Sequence, residues 1–174
     1  MERQVHYPGT PLKDRDLQEG RVLTTGWQVK ASYAWDTGAA LGRFLAGLRE
    51  GRLWARECLG CRRIVVPPRM FCEWCFRPNH RWVEVADRGK VNTFSVSYVA
   101  WDASRVDIPS IPAVIELEGA SPGVGIMHLL GEVGTTLEEI LARVKVGMPV
   151  KAVWKPAGER TGAITDIRYF APSD

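Results

Sequence analysis

Nowhere in this chain of 174 residues does an apolar run approach the roughly 20 residues that a helix needs to cross a bilayer, which excludes a helical membrane span. The opening Met-Glu-Arg-Gln supplies no basic segment followed by an apolar stretch, so a cytoplasmic, reducing setting is expected. Catalytic signatures are equally scarce: there is no Gly-x-Ser-x-Gly, no phosphate-binding Gly-x-x-x-x-Gly-Lys and no dinucleotide fingerprint. Histidine occurs only three times, as His6, His80 and His128. A lone histidine on a strand, such as His128, is more often a hydrogen-bonded structural residue than an acid or base. Glu116 and Glu118 share a strand face, a spacing that any solvated strand also gives. No catalytic centre is expected.

Cysteine is sparse too, yet all four residues stand in two Cys-x-x-Cys pairs ten residues apart: Cys58, Cys61, Cys72 and Cys75. A two-residue spacer lets both thiolates of a pair face one ion from a single tight turn, and four thiolates close a tetrahedron. A closed site leaves no position for water, so the expected role is structural. Zinc is the favoured ion; iron takes the same four-thiolate geometry and stays open. His80, five residues past Cys75, is expected at the surface or behind the ligands.

The first 36 residues are polar, punctuated by proline and glycine, and read as an extended arm. Leu41, Phe44, Leu45 and Leu48 then recur at helical spacing between Thr37 and Gly51. That apolar stripe packs either on the chain's own ribbon and barrel or on a partner. Residues 37–81 therefore form a helix plus a four-cysteine ribbon, with a strand from Arg52 to Glu57 entering the first turn. Residues 82–174 form the last domain. Its expected elements are a long strand from Val91 to Ala100 after an Arg88-Gly89 turn, strands at Ala113–Glu118 and Gly125–Glu132, a helix capped by Thr136 and Glu139, and strands at Val150–Lys155 and Ala163–Phe170. Three strands, a helix and two strands is the order of the OB-fold, a five-stranded barrel. The fold class is thus mainly β: an N-terminal helix, a zinc ribbon and a barrel.

Charge and aromatics concentrate on the ribbon. Residues 58–82 hold five Lys/Arg against one Asp/Glu, whereas residues 83–174 hold nine against twelve. Trp54, Phe71, Trp74, Phe76 and Trp82 surround the cysteines, together with Arg62, Arg63, Arg69, Arg77 and Arg81. Two accounts compete here. Either the aromatics pack against the metal loops to give a small ribbon its core, or they form a stacking surface for nucleic acid or for an anionic, planar cofactor such as coenzyme A.

The run Cys58-Leu-Gly-Cys61-Arg-Arg-Ile-Val-Val-Pro67-Pro68-Arg69-Met-Phe-Cys72-Glu-Trp-Cys75, with Ile115-Glu-Leu-Glu-Gly119 and Val146-Gly147-Met-Pro149-Val150, resembles the family once called domain of unknown function 35. The resemblance spans about residues 38–171. It implies a rubredoxin-like zinc ribbon joined to an OB-fold. It also implies an accessory subunit without catalytic activity of its own, which forms a hetero-oligomer with a thiolase-like catalytic chain, a thiolase or a lipid-transfer-protein-like aldolase. Acyl-CoA would then be a shared ligand, with Arg62, Arg63 and Arg69 facing either the coenzyme phosphates or the partner. Arg62 stands where the family usually has glycine, a departure that touches the turn after Cys61. The alternative function is a nucleic-acid-binding zinc-ribbon and OB-fold protein. The acidic balance of residues 83–174 opposes it, because affinity for a phosphate backbone comes mainly from Lys and Arg.

Overall fold

The computed structural model describes residue 9 and residues 11–173. His6, with residues 1–8 and 10 of the arm, lies outside the described residues. Those described divide into two units, one ending at Trp35 and the other beginning at Asp36.

The first unit departs from a wholly extended arm, since Asp14–Gln18 forms a short helix, α1. Asp16 accepts from the Lys13 backbone N–H, and Arg15 and Glu19 pair one turn apart, which is enough local bonding for a single turn. Residues 21–36 form no regular element and expose Leu23, Trp27, Val29, Tyr33 and Trp35.

The second unit opens with helix α2, Gly38–Glu50, ended by Gly51 at φ 77°. A residue beyond the helix end in the left-handed region is most cheaply glycine. Phe44 and Leu48 bury themselves in the chain's own core, whereas Leu41 stays exposed, so the stripe is divided and its main part packs internally. The ribbon sheet follows: β1 (Leu53–Cys58), β2 (Ile64–Val65) and β3 (Asn79–Val85), with β1 in the middle. Leu53, Ala55 and Val85 face the core that α2 covers.

The barrel comprises β4 (Arg88–Phe94), β7 (Pro112–Leu117), β8 (Gly125–Leu129), α3 (Leu137–Arg143), β9 (Pro149–Trp154) and β10 (Ile167–Pro172). Its sheet runs β10-β9-β4-β7-β8, and a parallel bridge between Leu130 and Phe170 joins the two ends. That is the OB-fold order. The predicted capping box is present: Glu139 N–H donates to Thr136 Oγ1, and the Glu139 carboxylate accepts from the Thr136 and Thr135 N–H groups. Ile140 and Val144, both buried, seal the barrel end beneath the helix.

Three stretches of the barrel domain differ from their sequence expectation. Arg88-Gly89 is no turn but the start of β4, flanked on both sides by β7 and β9. A Cβ at Gly89 would collide with the Glu116 carbonyl, so the glycine serves close strand approach rather than chain reversal. The long strand also breaks after Phe94. Ser97–Val99 (β5) instead pairs with Arg105–Ser110 (β6), a hairpin between the first two barrel strands whose turn is fixed by Asp102 accepting from Ser104. The alternation of Phe94, Val96 and Tyr98 with Ser95 and Ser97 continues across the break and so hides it.

Ala163–Phe170 divides likewise, with a single 3-10 turn at Ile164–Asp166 before β10. Asp166 is fully buried there and accepts from the N–H groups of Thr161 at 3.0 Å, Gly162 at 2.7 Å and Ala163 at 3.1 Å. Burial pushes its carboxyl up, but the three backbone donors prevail and hold it below the ordinary aspartate range. A group depressed in this way stabilises the fold above its unfolded pKa of about 3.9 and loses that contribution as pH falls through the lower folded value. Asp166→Ala leaves three donors facing a void and is expected to cost about 3 kcal/mol in urea unfolding at neutral pH. The gap between variant and parent should narrow below about pH 3.

Candidate metal centre

Each cysteine pair lies on a turn of the same build. Arg62 N–H donates to Cys58 O at 2.7 Å and Cys58 N–H to Arg63 O at 2.8 Å; in the second turn Phe76 N–H donates to Cys72 O at 3.0 Å and Cys72 N–H to Arg77 O at 2.9 Å. These bonds wrap each Cys-x-x-Cys into a knuckle and aim both thiols inward. The four Sγ atoms lie within 4.8 Å of one another, with Cys58–Cys75 and Cys61–Cys72 at 3.4 Å. A tetrahedral ion with metal–sulfur bonds of about 2.3 Å needs sulfurs about 3.8 Å apart, so the donors bracket the required geometry.

The first cysteine of each pair is the readier thiolate. Backbone N–H from Cys61 lowers Cys58 to about 7, against the opposing effect of burial, and the N–H groups of Cys75 and Trp74 lower Cys72. Cys61 is pushed up to about 12: the Arg63 N–H works downward but is outweighed by the Cys72 and Cys58 thiols and by burial. Cys75 rises for the same kind of reason, the Arg77 N–H being outweighed by Cys58, burial and Cys72. A divalent ion would displace the remaining protons and bind all four as thiolates. Two N–H groups already solvate the sulfur charge at Cys58 and at Cys72.

Both knuckles require a left-handed residue after the second cysteine, and neither has glycine there: Arg62 stands at φ 63° and Phe76 at φ 55°. Each costs about 1–2 kcal/mol relative to a right-handed conformation. Arg62 forms an ion pair with Glu57, which is only 2% exposed: Arg62 Nε lies 2.8 Å from Oε1, while Oε2 pairs with Arg81 by charge without an aligned hydrogen bond. Glu57 is thus a buried clamp between two arginines. The signal that could have found it is the alternation of β1, which places Glu57 on the same inward face as Leu53 and Ala55.

Of the three arginines expected to face coenzyme A or a partner, two are engaged within the ribbon. Arg63 pairs with Glu73 at 2.9 Å and lies 4.0 Å over the Trp74 ring; Arg62 pairs with Glu57. Arg69 is exposed, with Glu73 4.0 Å away. The aromatics divide between the two accounts. Trp54 and Trp82 are half-buried and share the guanidinium of Arg43, 4.6 Å from each ring, as structural packing would have it. Phe71, Trp74 and Phe76 instead stand in solvent, at 63%, 69% and 82% exposure. The hairpin that sequence alternation hid lifts Trp101 fully into solvent as well.

The other candidates are occupied by the fold. His128 Nδ1 accepts from the Leu129 N–H at 2.9 Å, its Nε2 lies 3.2 Å from Ile164 O, and its ring meets Phe170 edge-on. His80 is exposed on β3. Glu116 accepts from Asn92 and Glu118 from Arg88, as cross-strand pairs on a solvated face. Among the described residues no helix is long and apolar enough to cross a membrane.

Known proteins share this layout. Residues 38–81 match the family described as ChsH2, rubredoxin-like zinc ribbon domain, and residues 82–155 match ChsH2, C-terminal OB-fold domain. A DUF35 domain-containing scaffold protein of Methanocaldococcus jannaschii is 29% identical over 119 residues, covering 67% of this chain and 78% of the relative. A protein of unknown function from the DUF35 family of Sulfolobus solfataricus superposes with a TM-score of 0.53 at 27% identity, over 67% of this chain and 79% of that one. The structure of an Ltp2-ChsH2(DUF35) aldolase gives a TM-score of 0.53 at 21% identity, over 81% of this chain and 98% of that one, a likeness of fold.

Proposed function

We propose that this chain, which belongs to the DUF35 family joining a rubredoxin-like zinc ribbon to an OB-fold, is a non-catalytic accessory subunit of a thiolase-like enzyme that acts on acyl-CoA. One relative bears the name scaffold protein, and a structure of the same fold is that of an Ltp2-ChsH2(DUF35) aldolase. The observation that carries the reading is the exposed apolar surface. The second unit completes its own core, yet Phe71, Trp74 and Phe76 stand in water on the ribbon, as do Trp27, Tyr33 and Trp35 on the arm. Within the ribbon alone, three large aromatics exposed on the second cysteine turn mark an interaction surface.

Zinc is the proposed ion and its role is structural, holding the two knuckles together. Arg69 is the arginine best placed to reach coenzyme A phosphates, since Arg62 and Arg63 are braced against Glu57 and Glu73. The cytoplasm is the proposed compartment, where four reduced thiols remain free to bind metal. The domain division proposed is an arm over residues 1–36, helix and ribbon over 37–81, and barrel over 82–174. Purification of the full-length chain from its native host tests the reading: a thiolase-fold chain in stoichiometric amount is the expected companion. Recovery of the chain alone, or with nucleic acid, contradicts it.

A further inference from the structure

Four of the seven residues from Met70 to Phe76 are exposed apolar side chains: Met70, Phe71, Trp74 and Phe76. The most exposed of them also occupies the least favourable backbone. Phe76 lies at φ 55°, a region in which a bulky side chain is an outlier and glycine is at ease. The matching residue of the first knuckle, Arg62, recovers its strain through the Glu57 pair. Phe76, at 82% exposure, has no comparable anchorage. A residue that strains the backbone and gains little inside its own chain points to a gain outside it.

Charge indicates what sits there. Glu73 already pairs with Arg63 and lies 4.0 Å from Arg69, while Arg77, exposed and next to Phe76, pairs with no carboxylate among the described residues. We infer that the second knuckle is a docking tip, in which Phe76, flanked by Phe71 and Trp74, enters an apolar pocket rimmed by carboxylates on the thiolase-like partner. Aromatic anchors in a desolvated pocket dominate interfaces of this kind, and rim charges mainly set association rate and salt dependence. The inference rests on the accessory-subunit reading and adds the contact surface and its chemistry.

Phe76→Gly separates docking from folding, because glycine relieves the backbone strain while removing the anchor. The assay titrates wild-type and variant full-length chain, both zinc-loaded, against the purified thiolase-fold companion recovered from the native host. The variant is expected to melt at or above the parent temperature with unchanged zinc content and to bind at least 30-fold more weakly. Arg77→Ser is expected to slow association and to flatten its salt dependence. Binding of Phe76→Gly within twofold of wild type overturns the inference and leaves the accessory role intact. If the wild-type chain binds no thiolase-fold companion, the accessory role itself fails. A single-stranded oligonucleotide held tightly by wild type and released by Phe76→Gly also overturns the inference, in favour of a stacking surface.

Discussion

Replacing Cys72 with serine is expected to abolish metal binding and to unfold both knuckles. Cys72 is fully buried, and its sulfur lies 3.4 Å from that of Cys61, so the lost thiolate is central to the site. Structural zinc contributes on the order of 10 kcal/mol to comparable modules, far more than any other single feature of the ribbon. The damage should not stop at the knuckles. Leu53, Ala55, Val65 and Val85 of the ribbon sheet share one core with Leu117, Val124 and Ile126 of the barrel, and Ile64 and Ser121 exchange two hydrogen bonds. The variant should therefore contain no metal, lose the knuckle amide signals, and show a broadened, lower barrel transition. An unchanged melting profile, or a wild-type protein free of both zinc and iron, would contradict a structural metal.

The Glu57 clamp should produce the next largest effect. Arg62→Ser with Arg81→Ser leaves a carboxylate that is 2% exposed without its two partners. An uncompensated buried charge costs about 3–5 kcal/mol. For a protein of this size that is roughly a 10 °C fall in melting temperature. Adding Glu57→Gln removes the buried charge and should recover at least half of the loss. If the double variant melts with the parent, or the third substitution recovers nothing, Glu57 is not held as described.

What the sequence made legible was whatever has a local rule. The four cysteines declare themselves because knuckle spacing is set by ligand geometry, and α3 does so because Thr136 and Glu139 cap it within one turn. The barrel order was legible for the same reason: alternating strands and their turns are local, and the OB-fold arranges them in few ways. The misses share a cause of the opposite kind. Gly89 reads as a turn residue because its real neighbour, the Glu116 carbonyl, is distant in sequence. Asp166 collects its three donors from residues three to five positions upstream, a reach that no forward turn rule anticipates. Glu57 and Phe76 were half legible: alternation puts Glu57 on the inward face of β1, but its two arginine partners come from outside that strand, and composition left Phe76 open between packing and exposure, which the fold decides for exposure.

The accessory role itself meets its most direct test in acyl-CoA turnover measured for the homogeneous zinc-loaded chain, for its thiolase-like companion, and for the two combined. No turnover is expected from the chain alone, and a higher rate is expected from the pair than from the companion by itself. Turnover by the lone chain, or a companion indifferent to its presence, would contradict the account.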